Sequence, residues 1–162
     1  MIPRTASARR GFTLIEMVIT VAIVAILSSA LLPLAQLAVK RVKEQELRSA
    51  LRQIRTAIDD YKNAADQGRI AYDPTGSGYP KSLTDLVSGV NDQNSPDKKK
   101  IYFLRRLPRD PMNDDPGITA EETWGKRSYE SPPDDPHEGK DVFDVYSLSS
   151  GVGIDGTRYR DW

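Results

Sequence analysis

Glu16 is a lone carboxylate in an apolar run. The basic leader Met-Ile-Pro-Arg-Thr-Ala-Ser-Ala-Arg-Arg-Gly ends at Gly11, the run starts at Phe12, and Glu16 is its fifth residue. Placing a charge near the centre of a membrane helix costs about 2.5–3.5 kcal/mol on insertion scales, so such a carboxylate asks for a partner. Two chemistries answer that demand. Thr13-Leu14-Ile15-Glu16 has the spacing of a capping box, in which the Glu reaches back to an unpaired N–H at a helix start. Cleavage between Gly11 and Phe12 would instead release an amine at Phe12, and Glu16 can pair with that amine on a neighbouring subunit. The two roles are compatible, since Glu16 stands four residues after Phe12.

The other reactive residue types are sparse. Cys is absent and His137 is the only histidine, so a Cys/His zinc site cannot be assembled, and a Ser-His-Asp triad would have to use His137. Asp134 and Asp135 beside it lie in a Pro-rich stretch that reads as a solvated loop. Gly151-Val-Gly-Ile-Asp-Gly156 matches G-x-G-x-x-G, but a dinucleotide site needs a following helix and second parallel strand, for which the few residues after Gly156 give no room. No G-x-x-x-x-G-K-[ST] sequence occurs, so the chain is not expected to supply nucleotide-driven work, and it is expected not to be an enzyme. The 23 basic and 23 acidic side chains balance, and three of the basic ones are Arg4, Arg9 and Arg10 of the leader. No strong positive field remains for nucleic acid.

These residues must be carried by recognisable elements. Met17 to Val39 is 23 residues without a formal charge, long enough to cross a bilayer as a helix. A secretory signal is cut after its apolar region, whereas here the cleavage site precedes it and the helix would be retained. The basic leader places the N-terminus in the cytoplasm, although Lys40, Arg41 and Lys43 on the far side weaken the charge rule. Pro33 removes a backbone hydrogen bond and is expected to kink the helix after Leu32, with or without a functional purpose. Beyond the membrane, Leu47, Leu51, Ile54, Ile58 and Tyr61 alternate steps of four and three and form one apolar stripe. Glu44 and Arg48 have the spacing of an i,i+4 pair. This amphipathic helix, 40–67, is expected to end at Gly68.

The second half is loop-rich. Ser82 is a candidate cap for a short helix at 82–87. Asp97-Lys98-Lys99-Lys100 reads as a solvated loop, 101–104 as a strand or packed loop, and 124–129 as a strand. Asp141 to Leu148 has the best strand pattern, with Phe143 and Val145 on one face and Val142, Tyr146 and Leu148 on the other. The expected fold is α+β: a long N-terminal helix on a small antiparallel sheet of about three strands. The expected divisions are leader 1–11, membrane helix 12–39 and extracytoplasmic domain 40–162.

Arg-Arg-Gly-Phe-Thr-Leu-Ile-Glu-Met at 9–17 resembles the class III signal of type IV pilins and pseudopilins. The resemblance implies that a prepilin peptidase cuts after Gly11 and methylates Phe12. It makes Glu16 the assembly residue and Pro33 the position that loosens the helix in the filament. In order along the chain come Gly78-Tyr79-Pro80, Leu83 and Leu86, Leu104-Arg-Arg-Leu-Pro-Arg-Asp-Pro111, Phe143-Asp-Val-Tyr-Ser-Leu148 and Asp161-Trp162. That order resembles the major pseudopilins of type II secretion systems. It implies a periplasmic pseudopilus built from a homopolymer with minor pseudopilins, and an inner-membrane platform and its ATPase that drive assembly. Membrane lipid would hold the subunit beforehand, and the filament would push folded proteins through the outer membrane. An adhesive, motility or DNA-uptake pilin is the alternative reading, and the missing disulfide loop argues against it. The resemblance also implies calcium, with the Leu148 carbonyl, Ser150, Asp155 and Asp161 as ligands, although Gly151 stands where that pattern has a further Asp.

Overall fold

The computed structural model describes residues 11–71, 76–97 and 99–162. The leader before Gly11, residues 72–75 of the first loop and Lys98 of the charge run lie outside the described residues. Two compact units are distinguished, residues up to Val39 and Lys40–Trp162.

Helix α1 runs from Leu14 to Asp66 and contains Pro33. Its first part is long and apolar enough to cross a membrane. Side chains there are exposed within the chain, among them Leu14, Ile19, Val24, Leu27 and Leu34. A helix apolar on every side is stable in lipid or among other helices, not in water.

The second part of α1 is apolar on one side only. Leu47, Ile54 and Ile58 are completely buried, Leu51 and Tyr61 nearly so, as the four-and-three spacing predicts. Ala50 and Ala57 lie between them and Ala64 and Ala65 follow, small enough to bring the covering segments close. The helix ends as expected: Gly68 takes φ +68°, its N–H donates to the Ala65 carbonyl, and the Arg69 N–H donates to that of Ala64. That pair of bonds is a Schellman cap, which a residue with a Cβ fits poorly.

Helix α2 is one turn, Asp85–Ser88, with Thr84 at its N-cap and Ser82 in the turn that precedes it. The Asp85 N–H donates to Ser82 Oγ at 3.3 Å and the Ser82 N–H to Asp85 Oδ2 at 3.1 Å, a reciprocal cap. Strands β1 (Val90–Asn91) and β2 (Lys100–Ile101) form one antiparallel ribbon. Strands β3 (Trp124–Arg127) and β4 (Asp144–Ser147) form another, with Trp124 opposite Ser147 and Arg127 opposite Asp144. The α+β architecture stands, with the strands divided between two ribbons instead of forming one sheet of three. Segment 102–104 is the packed loop, because the N–H groups of Phe103 and Leu104 both turn to the Leu86 carbonyl.

Val145 and Ser147 face the core, and Tyr146 and Leu148 face outward. Val142 departs from the expected alternation and is buried. It precedes β4, and its N–H is drawn to the Pro80 carbonyl at 2.8 Å. Tyr146 lies across Gly125 on the neighbouring strand, where a Cβ would come within 2.2 Å of the ring. Trp124, Leu83, Leu86, Val142, Val145 and Tyr159 close the core over the α1 stripe.

Truncating the centre of that stripe leaves a cavity that loops cannot fill. Ile54→Ala is expected to cost about 3 kcal/mol. Denaturant unfolding of the full chain in detergent checks this, read by the fluorescence of buried Trp124.

Candidate functional site

At the start of α1 the capping box forms. The Glu16 N–H donates to Thr13 Oγ1 at 3.3 Å, and the Thr13 N–H approaches Glu16 Oε2 at 3.5 Å. The second contact is at the outer limit of a hydrogen bond, and both groups are exposed. Among the described residues Glu16 has no cationic partner. Its carboxylate therefore sits beside the positive end of the helix dipole, weakly held and open to a stronger charge. Gly11 and Phe12 precede the first helical turn in extended or irregular backbone, with Phe12 exposed. A peptide bond outside a helix has no internal hydrogen bonds to break before a protease can bind it. No Cβ at Gly11 would meet another atom, so the glycine there is not demanded by packing.

The second cluster is loop 148–162 and the helix flank beneath it. Asp155 Oδ2 accepts from Arg48 at 2.8 Å, while Oδ1 accepts from the Thr157 N–H at 3.0 Å and hydroxyl at 2.6 Å. The Thr157 bonds, with Arg48 beside them, hold the Asp155 carboxyl below its ordinary range. Asp161 Oδ2 accepts from Arg158 Nε at 3.0 Å. Ser150 and Leu148 are exposed. Among the described residues, no three His, Cys, Asp or Glu side chains group to hold a metal ion. The segment 151–156 is a turn, with the Gly153 N–H on the Thr157 carbonyl and the Gly156 N–H on that of Gly153. It leads into the single 3-10 turn Tyr159–Asp161, not into the helix that a dinucleotide site requires.

Glu44 and Arg48 both turn to this loop, and their predicted mutual pair gives way to these contacts. Buried Glu44 Oε1 accepts from the Ile154 N–H and the Tyr159 hydroxyl, each at 2.9 Å. Burial first, then the bond to Glu44, push the Tyr159 phenol up to about 12. Sequence spacing gives no sign of these bonds, because the partners lie 110 and 115 residues apart. The one available signal is an acid adjoining the apolar stripe.

A second buried carboxylate is Asp110. It accepts from Ser147 Oγ at 2.5 Å and from the Met112 N–H at 2.8 Å, and its own N–H donates to Thr123 Oγ1 at 3.1 Å. These bonds hold a Pro-bounded connection against β4 and have no reactive partner. Around His137, Nδ1 lies 3.2 Å from Ser131 Oγ and 3.0 Å from the Asp135 carbonyl. Ser131 Oγ accepts from the His137 N–H at 2.9 Å. The group closes one loop, and Asp134 and Asp135 are exposed as expected of a solvated turn.

Tyr159 yields a pH prediction. Below about pH 10 its phenol is protonated in folded and unfolded chains, and its contribution to stability is intact. As pH rises from about 10 toward about 12, unfolded chains lose the proton that folded chains keep, and stability falls. Wild-type melting temperature is expected to drop more steeply across that window than that of Tyr159→Phe, measured by circular dichroism.

Two comparisons with known proteins bear on these sites. Residues 6–32 match the prokaryotic N-terminal methylation motif. The chain is 28% identical over 112 residues to the type II secretion system core protein G of Klebsiella michiganensis, covering 67% of this chain and 71% of that protein. No solved structure matches the chain. The chain therefore carries a prepilin-type methylation motif at the head of its apolar helix, and over about two thirds of its length it is similar to a type II secretion core protein G, a major pseudopilin.

Proposed function

We propose that this chain is a structural subunit of a type II secretion pseudopilus. The observation that carries the reading is the head of α1: a Gly11–Phe12 junction outside the helix, a weakly held Glu16 and an all-round apolar helix, inside a methylation motif. A prepilin peptidase would cut after Gly11 and methylate the new Phe12 amine. The leader would remain in the cytoplasm, and residues 12–39 would anchor the subunit in the inner membrane, with 40–162 in the periplasm.

Assembly follows from two physical demands. The exposed apolar side chains of 12–39 must stay covered on leaving lipid, which neighbouring helices of the same kind can do. Glu16 must meet a positive charge, which the Phe12 amine of the adjacent subunit supplies. A contact between opposite charges away from water is far stronger than one in it, and it fixes the axial register of two otherwise featureless apolar helices. Pro33 would let the helix loosen there, since its nitrogen gives no hydrogen bond to the turn before it. Minor pseudopilins, the assembly platform and its ATPase are the partners this role requires. Similarity to core protein G favours secretion over an adhesive pilus.

Mature protein purified from membranes is expected to begin at Phe12 and carry one added methyl group by mass spectrometry. Intact leader would refute the processing. Glu16→Gln is expected to insert in the membrane normally and to yield no sheared filaments. Wild-type filament yield from that variant would refute amine pairing.

A further inference from the structure

Calcium takes six to eight oxygen ligands and is held by several carboxylates. The donors of loop 148–162 do not fit that demand. Asp155 spends one oxygen on Arg48 and the other on Thr157, and Asp161 is engaged by Arg158. Gly151 offers no side chain where the resemblance has another carboxylate.

The helix supplies a cation instead. Glu44, Arg48 and Arg55 are four and seven residues apart, so they lie along one flank of α1 beside the buried stripe. The Arg48 guanidinium lies 4.1 Å from the centre of the Trp162 ring while it pairs with Asp155. Trp162 in turn meets Tyr159 edge-on at 5.0 Å and donates from Nε1 to Thr157 Oγ1 at 2.5 Å. Two turns along, Arg55 donates to Asp144 Oδ1 at 2.7 Å, to the Val145 carbonyl at 3.1 Å and to the Trp162 main-chain oxygen at 2.8 Å. The two arginines thereby hold the strand that enters the loop, the turn at its middle and the residue at its far side. A planar guanidinium suits this task, since it can stack on a ring and bond a carboxylate in its own plane.

We propose that Arg48, supported by Arg55, is the built-in cation that closes loop 148–162, so that the loop folds without a bound divalent metal. The guanidinium neutralises Asp155 and clamps Trp162, both tasks being done from the helix.

Full-length protein in detergent, with calcium or with chelator, provides the test. Melting temperature reports the whole domain, and trypsin cleavage after exposed Arg158 and Arg160 reports the loop. Wild type is expected to give the same midpoint and cleavage rate in both conditions. Arg48→Leu is expected to lower the midpoint by about 2–5 °C and to speed cleavage several-fold, again in both. Asp155→Asn is expected to act in the same direction, and the double variant to lose less than the sum of the two. A calcium-dependent rise in wild-type midpoint would overturn the proposal, as would unchanged cleavage in Arg48→Leu. Strictly additive losses in the double variant would also overturn it.

Discussion

After α1, the described residues pair in two short ribbons, one of two-residue strands and one of four, and in a single isolated bridge between Val152 and Arg158. Backbone ladders of that length are not stable alone in water. Burial of Leu47, Leu51, Ile54 and Ile58 against the remaining segments is therefore what the domain depends on. Each such side chain contributes on the order of 1.5–3 kcal/mol when removed from water. The helix acts as a rod on which the rest is wound, and the ribbons are consequences of that winding.

Winding loops on a rod leaves many backbone N–H groups away from strand partners, and carboxylates receive them. Asp110 accepts from Met112, Glu121 from Leu83, Asp141 from Tyr129 and Glu44 from Ile154. Each bond contributes modestly, but a donor shielded from water and left unpaired would cost more than the bond provides. None of the buried side-chain polar atoms among the described residues lacks a partner. Acidic residues in this chain thus serve the geometry of its loops more than they serve chemistry.

The parts legible in the sequence are those with local signatures. The stripe from Leu47 to Tyr61 repeats at helical spacing, Gly68 marks the helix end, and Ser82 and Asp85 stand three apart in a cap. The end of the leader and Glu16 lie inside the stretch that the methylation motif matches, legible by residue order alone. Ribbon ends were harder, because β4 is cut short where Val142 bonds to Pro80, a contact between residues far apart in sequence. The role of Asp110 was hidden for the same reason, its partner Ser147 lying 37 residues on. Arg48 shows the limit most clearly. Its local spacing named Glu44 as partner, and the fold brought Asp155 and Trp162 within reach instead.

The reciprocal bonds between Thr13 and Glu16 have a bearing on how a pool of such subunits behaves. In the proposed role, a processed subunit must wait in lipid before a neighbour arrives. A helix start offers partial positive charge and a threonine hydroxyl to the same side chain, so Glu16 keeps some solvation there without a partner. The waiting subunit is thus storable, and its 3.5 Å contact from Thr13 is weak enough to be surrendered. In that role supply and polymerisation would be separated, the membrane holding a reserve whose charge is quieted but not spent.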